Sequence, residues 1–309
     1  MKIKRFIVFL FLMLSTVFMT TGCTEQQISN AVQQIEKPNE ITVAHLSDIH
    51  IPSVFVEDTV EPTDQEKLLY DAIEQINEDK NVDFTLITGD IVNEPNTELF
   101  LHITQIFNEL KKPWYFALGN HDRNWPFSIE REPLLQILHR VNPKMPEGRY
   151  YEFSPKQGFK FIALDGSDYG IDEEQIEYLR NQIDETPAED LIVIFMHTPV
   201  LPPVDFIDHH AENEEIVVEL LKSYKRPFVI FAGHYHATKL TLDDNILHIS
   251  SPSLRYAQEF RIVNIKNEKD KVILNFDYKE TNLKDLITDP KERYAGEEED
   301  KFATIELAK

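Results

Sequence analysis

The chain has 309 residues, enough to bury a sizeable core as one large domain or two modest ones. Hydrophobic residues at 42% and charged residues at 28% are ordinary for a soluble globular protein, which disfavours both wholesale disorder and a multi-span membrane protein. A formal net charge of -23 argues against a surface built to grip a phosphate backbone, so long nucleic acid is not an expected partner.

The first residues differ from all that follow. Lys2, Lys4 and Arg5 form a basic start, and residues 6–19 form an apolar stretch. That stretch is short beside the roughly 20 residues a membrane-spanning helix needs. Thr20, Thr21 and Gly22 then lead into Cys23, the single cysteine, which has no partner for an intrachain disulfide. The arrangement resembles a bacterial lipoprotein signal, in which a small residue before the Cys lets its sulfur be acylated and become the new N-terminus. It departs from that pattern in having Thr20 where Leu is preferred. The resemblance implies a signal peptide over residues 1–22, lipidation of Cys23, and an extracytoplasmic protein anchored to the bacterial cell membrane through that lipid. Residues 23–40, rich in Gln, Asn and Glu, read as a polar tether.

From residue 41 apolar runs alternate with amphipathic ones. Residues 41–46 have strand character, and a Thr63 to Glu66 capping box opens a helix with Leu68, Leu69, Ala72, Ile73 and Ile76 on one face. The pattern predicts a strand over 82–88, a helix over 97–110, a strand over 114–118 and a helix over 133–139. Residues 150–153 and 159–164, joined through Gln157 and Gly158, read as a hairpin. A helix over 172–183, a strand over 191–196, a helix over 212–224 and a strand over 228–232 continue the alternation. The last third turns to hairpins, 239–242 with 246–249 and 260–265 with 272–278. Alternating strands and helices followed by hairpins predict an α/β domain over residues 41–280 whose sheets are extended by antiparallel strands. Residues 281–309 read as a charged C-terminal tail, and the charged stretch at 289–301 within it as solvated or frayed.

Five short segments each follow a predicted strand: Asp48-Ile49-His50, Gly89-Asp90, Gly119-Asn120-His121-Asp122, His197-Thr198-Pro199 and Gly233-His234-Tyr235-His236. Strand ends are where α/β folds place ligands, because the sheet fixes the loop roots. In extended backbone the pairs Asp48/His50 and His234/His236 would each point to one side, a spacing suited to converging on one ion. Gly89, Gly119 and Gly233 stand where a missing Cβ permits close backbone approach. Carboxylate, imidazole and amide oxygen without thiolate suit Mn, Fe, Zn or similar ions rather than a structural zinc knot. Two carboxylates, one amide and four histidines exceed the needs of a single ion.

The series D-x-H, GD, GNH-D/E, a lone His and GH-x-H, in that order over residues 41–236, resembles the calcineurin-like metallophosphoesterase superfamily. The resemblance implies a two-sheet β sandwich flanked by helices, a four-layer α/β/β/α arrangement. It implies that Asp48, His50 and His236 bind one metal, that Asn120, His197 and His234 bind a second, and that Asp90 bridges them. The cofactors would be two divalent or trivalent ions (Mn, Fe or Zn), whose pairing about 3.5–4 Å apart would generate a bridging hydroxide that attacks the phosphoryl group. His121 would stay unligated near the leaving group as its proton donor, with Asp122 either steering that imidazole or only finishing a turn. No Arg follows Gly89-Asp90 in the Ile-Val-Asn-Glu-Pro segment, which speaks against the protein Ser/Thr phosphatase branch. The compact motif set is more similar to the bacterial class III cyclic-nucleotide phosphodiesterases. The expected activity is hydrolysis of a small phosphodiester or nucleotide outside the cytoplasmic membrane, with a phosphomonoesterase or a non-catalytic metal-binding scaffold as alternatives. His45 reads as a core residue and His102, His139 and His248 as structural. His209 and His210 read as a solvated pair on the loop where substrate would arrive.

Overall fold

The computed structural model describes residues 39–53, 63–123, 129–204, 212–283, 286 and 296–309. The leader, Cys23 and the pair His209-His210 lie outside the described residues. In chain order the elements are β1 (Glu40–Leu46), α1 (Asp64–Glu78), β2 (Phe84–Ile87), α2 (Thr97–Ile106) with a 3-10 turn at Phe107–Glu109, β3 (Trp114–Phe116), α3 (Asn120–Arg123), α4 (Arg131–Val141), β4 (Tyr151–Phe153) and β5 (Phe159–Ala163). They continue as α5 (Glu173–Glu185), β6 (Leu191–Phe195), α6 (Glu214–Ser223), β7 (Phe228–Ala232), β8 (Lys239–Asp243), β9 (Ile246–Ser250), β10 (Glu259–Asn267), β11 (Lys271–Glu280), α7 (Glu298–Lys301) and β12 (Thr304–Ala308). Helix starts follow local chemistry. Thr63 and Glu66 form the expected capping box on α1, and the Asp172 side chain accepts from Gln175 N to open α5.

Two six-stranded mixed sheets result, with orders β12-β11-β10-β1-β2-β3 and β4-β5-β6-β7-β9-β8. Their centres are parallel, β1-β2-β3 in one and β5-β6-β7-β9 in the other. The reason is readable in β6, Leu-Ile-Val-Ile-Phe, which is buried on both faces. Its Val193 and Phe195 join the core between the sheets, while Ile192 and Ile194 join a second core formed with Leu179 of α5 and Val217 and Leu221 of α6. A strand apolar on both faces requires cover on both sides, which gives the helix, sheet, sheet, helix layering. On the other sheet, α1, α2 and α4 supply Leu69, Ile73, Phe100, Ile103, Leu134 and Leu138. Among the described residues no helix is long and apolar enough to cross a membrane.

The end of the chain departs from the expected solvated tail. β12 pairs antiparallel with β11, Leu274 opposite Ile305, and buries Leu307. Asp300 of α7 is buried too, its carboxylate accepting from Leu240 N at 3.0 Å and Lys239 Nζ at 3.1 Å. Its carbonyl accepts from the fully buried Arg261 at 2.6 Å. The high charge of the 289–301 stretch masked a two-residue apolar period in Thr304-Ile305-Glu306-Leu307, and a carboxylate that the sheet needs.

Candidate metal centre

The carboxyl ends of β1, β2 and β3 meet those of β6 and β7 at one rim of the sandwich, and there the five segments converge. Asp48, His50 and His236 form one group of mutually close ligand atoms, and Asp90, His197 and His234 form another. His50 and His236 bring their Nε2 atoms to 3.0 Å, and Asp48 Oδ1 lies 3.2 Å from His236 Nε2. In the second group His197 Nε2 lies 3.0 Å from Asp90 Oδ2 and 3.0 Å from Asn120 Oδ1. Asp90 Oδ2 also lies 3.7 Å from His50 Nε2, so a single oxygen faces both groups.

The ligands do not sit in extended backbone, as the two-residue spacing suggested. Asp48, His50, Asp90, His234 and His236 have φ of 54°, 47°, 53°, 69° and 49°, left-handed values that L side chains seldom adopt. Such strain persists only where the surroundings over-determine it. His50 N donates to Asp90 O at 2.9 Å, Gly233 N to His197 O at 3.0 Å, and His234 N to Asp48 Oδ1 at 3.1 Å, so each loop is held by its neighbour. At Gly119 an added Cβ would collide with the Asp90 carboxylate and amide, which is why that turn takes no side chain.

In each of four residues one polar atom faces the cluster and the other is fixed by protein. Asp48 Oδ2 accepts from Ser47 Oγ at 2.6 Å, and Asp90 Oδ1 accepts from His121 N at 2.7 Å. His197 Nδ1 donates to Thr88 O at 2.6 Å, and Asn120 Nδ2 donates to the Tyr169 hydroxyl at 2.9 Å. The inward atoms left over are two carboxylate oxygens, an amide oxygen and the His197 Nε2 nitrogen, each an electron-pair donor to a cation once His197 has given up its second proton. Donors facing one another at about 3 Å suit a cation between them. The electrostatics agree. Burial pushes the Asp48 and Asp90 carboxyls up, yet the imidazoles around them outweigh it and hold both well below the usual range. Burial lowers His50 to about 4, and burial with the His197 charge lowers His234 to about 3. At His197 burial acts downward too, but Asp90 prevails and raises it to about 9. Two buried anions are thus drawing positive charge into the rim.

The model of the calcineurin-like phosphoesterase family matches residues 41–238, a span that contains this whole cluster. The chain belongs to that family. It is 27% identical over 231 residues to a probable glycerophosphodiester phosphodiesterase of Arcobacter nitrofigilis, covering 71% of this chain and 81% of the relative. It is 26% identical over 227 residues to a probable cyclic nucleotide phosphodiesterase of Xenorhabdus bovienii, covering 69% and 86%. The fold is similar to that of a dimetal phosphatase from Danio rerio, with a TM-score of 0.58 at 17% identity over 78% of this chain and 96% of that one. As a calcineurin-like phosphoesterase the chain is a hydrolase of phosphoric ester bonds, and its rim carries the candidate metal ligands.

His121 and Asp122 share one turn and face different ways. The His121 ring packs edge-on against His50 at 4.7 Å, its Nδ1 donates to Asn93 O at 2.7 Å, and the ring belongs to a third close group with His50 and Asp90. Asp122 makes no bond to it. The fully buried Asp122 carboxylate accepts from Gly119 N, Asp90 N, Ile91 N and Val92 N, and so joins the turns of two candidate ligand loops. His45 is a core residue, bonded to Thr88 Oγ1 and Ser251 Oγ, while His102 and His139 pair with Glu66 and Glu147.

Several participants were invisible to motif reading: Ser47, Thr88, Asn93, Tyr169, Arg255 and Tyr256. Tyr169 lies on the loop after β5 and packs its ring against His234 at 5.6 Å. Asp168 of the same loop pairs with Arg123 and Arg131 and so ties it to α3 and α4. The available signal was topological. β5 is a parallel strand beside β6 whose carboxyl end also opens onto the rim, although the carboxylates there, Asp165 and Asp168, pair with Arg123 and Arg131 instead of joining the cluster.

Proposed function

We propose that the chain is a two-ion phosphodiesterase acting on small phosphodiesters or nucleotides outside the cytoplasmic membrane. The observation that carries the reading is that Asp48, Asp90, Asn120 and His197 each turn one donor atom toward the cluster and fix the other on protein, in two groups meeting at Asp90 Oδ2. Asp48, His50 and His236 would hold one ion, Asn120, His197 and His234 the other, with Asp90 shared. Oxygen and imidazole donors without thiolate suit Mn, Fe or Zn. When bound, such a pair supplies a nucleophile from water near neutral pH and offsets charge on the phosphoryl oxygens.

The chain's own residues do the rest. Asn93 O accepts the His121 Nδ1 proton, so the ring is fixed with Nε2 toward the rim beside His50. From there a protonated Nε2 delivers its proton to the departing alkoxide, a contribution typically worth 10²–10⁴-fold. Ser47, Thr88 and Tyr169 hold ligands in their binding orientation. The preference for diesters draws on the two relatives named as phosphodiesterases and on the absence of Arg in the segment after Gly89-Asp90. The extracytoplasmic location and the lipid on Cys23 draw on the leader sequence alone.

Purified protein loaded with Mn²⁺, its metal counted by mass spectrometry, should hydrolyse a bis-aryl phosphate faster than an aryl phosphate and retain two ions per chain. His121→Ala should keep the metal and lose roughly 10²–10⁴-fold in turnover on an alkyl-leaving-group ester. A folded preparation that takes up no divalent ion defeats the reading, and a monoester preference turns it toward phosphatase activity. Cys23→Ser should move the protein from the membrane fraction to the soluble one.

A further inference from the structure

Arg255 lies on the loop between β9 and β10, and that loop is strapped to the first ligand loop. Leu254 N donates to Ser47 O at 3.1 Å and Ser253 Oγ to Asp48 O at 2.6 Å. Arg255 Nη1 donates to His50 O at 2.9 Å and to Asn93 Oδ1 at 3.2 Å. The guanidinium carbon sits 4.8 Å from the centre of the Tyr256 ring, which in turn packs beside His236 at 5.1 Å and His50 at 5.9 Å. A fixed positive charge therefore stands against the backbone of one candidate ligand and against the residue whose carbonyl holds His121.

Both acceptors its side chain meets among the described residues, His50 O and Asn93 Oδ1, are neutral. Among the described residues no carboxylate pairs with Arg255, whereas Arg123, Arg131 and Arg149 all pair with aspartates. Its Nε is buried without a partner, and its Nη2 donates to no atom of the described residues. Leaving a partly desolvated guanidinium without an anion is costly, and a chain of net charge -23 had carboxylates to spare.

We infer that Arg255 is the phosphate-binding arginine of this site. Its free Nη2 bonds a non-bridging oxygen of the substrate phosphoryl group, while Nη1 braces Asn93 and through it the orientation of His121. The segment after Gly89-Asp90 carries no Arg, and Arg255 reaches that same segment, at Asn93, from the loop between β9 and β10. The planar fork of Arg suits this double duty, one nitrogen for the protein and one for the ligand. The inference rests on the phosphoesterase reading and names a residue that recognises its substrate.

The test compares metal-loaded parent, Arg255→Gln and Arg255→Lys by calorimetric titration of inorganic phosphate, with metal content, melting temperature and diester kinetics measured in parallel. Gln retains an N–H donor for the bracing contacts and removes the charge. Both variants should keep the parent's metal content and melting temperature. Phosphate affinity should fall roughly ten- to hundredfold in the Gln variant and less in the Lys variant, the size of one charge-assisted hydrogen bond. KM for the diester should rise with it. Phosphate binding within twofold of the parent in the Gln variant overturns the inference. So does loss of metal from that variant, which would reduce Arg255 to a brace of the His50 loop. Arg255-dependent phosphate binding in a protein that hydrolyses no phosphoester would leave the anion site standing and sink the enzymatic reading instead.

Discussion

Replacing Asp122 by Asn should unfold the site rather than silence it. In the parent one carboxylate oxygen accepts from Gly119 N at 2.8 Å and Asp90 N at 3.0 Å, and the other from Ile91 N at 2.9 Å and Val92 N at 3.4 Å. Asn keeps one oxygen and turns an NH₂ group toward the remaining two N–H donors, which no other acceptor serves. Each buried donor left unsatisfied costs about 1–3 kcal/mol, so the pair costs about 2–6 kcal/mol. Part is recovered because burial and the Asp90 charge already push the Asp122 carboxyl up to about 7. A net loss of about 1–3 kcal/mol remains, which for a domain of this size lowers Tm by roughly 2–12 °C. Because Asp90 holds its left-handed φ through the same amides, metal affinity should fall with stability. The assay is calorimetric melting of the metal-free protein beside a metal count after reconstitution. A variant that melts with the parent and binds full metal yet fails to turn over would show that Asp122 acts in the chemistry, and the reasoning would be wrong.

Two further outcomes rest on single contacts. Tyr169→Phe removes the hydroxyl that accepts from Asn120 Nδ2 and keeps the amide oxygen turned toward His197; the variant should fold normally and bind its second ion roughly 10–100-fold more weakly, as read by metal titration. Unchanged affinity for both ions would remove Tyr169 from the site. Metal uptake should also release protons. Asp90 raises His197 to about 9 in the metal-free protein, so at pH 7 its ring is charged, and ligation through Nε2 must expel about one proton while Nδ1 keeps its bond to Thr88 O. Affinity should therefore strengthen as pH rises toward about 9 and level off above it. Calorimetry in buffers of different ionisation enthalpy measures the release, and heats independent of the buffer would refute it.

The candidate ligand set was legible because ligation selects residue types, and chance seldom sets seven such residues at five strand ends. The class of fold followed from the alternation of runs like Leu191 to Phe195 with amphipathic segments. Strand order did not follow, since nothing local in β10 says that it pairs with β1 across more than two hundred residues. The supporting shell was hidden for a different reason. Thr88, Asn93 and Tyr169 act through a carbonyl, a carbonyl and a hydroxyl, groups common throughout the chain, and only position makes them functional. The misread tail belongs with them. Asp300 looks solvated among its charged neighbours, and only Lys239, Leu240 N and Arg261, brought near by the fold, give it a buried role.

The same contacts explain why the site sits where the two sheets meet. An ion needs one atom from each ligand, which frees the second atom to bind protein, and at His197 and Asn120 that second bond crosses between sheets, as other contacts beside the ligands do. His197 from the second sheet donates to Thr88 O of the first, and His234 N donates to Asp48, while Ser251 after β9 bonds His45 of β1. Five ligands in left-handed backbone store strain that neither sheet could hold alone, at about 1–3 kcal/mol for each such residue. Sandwich packing and cation binding are therefore coupled. Separating the rims relaxes the strained turns and scatters the donors, and a bound cation, having affinity only for the assembled rim, resists that separation in proportion to its occupancy.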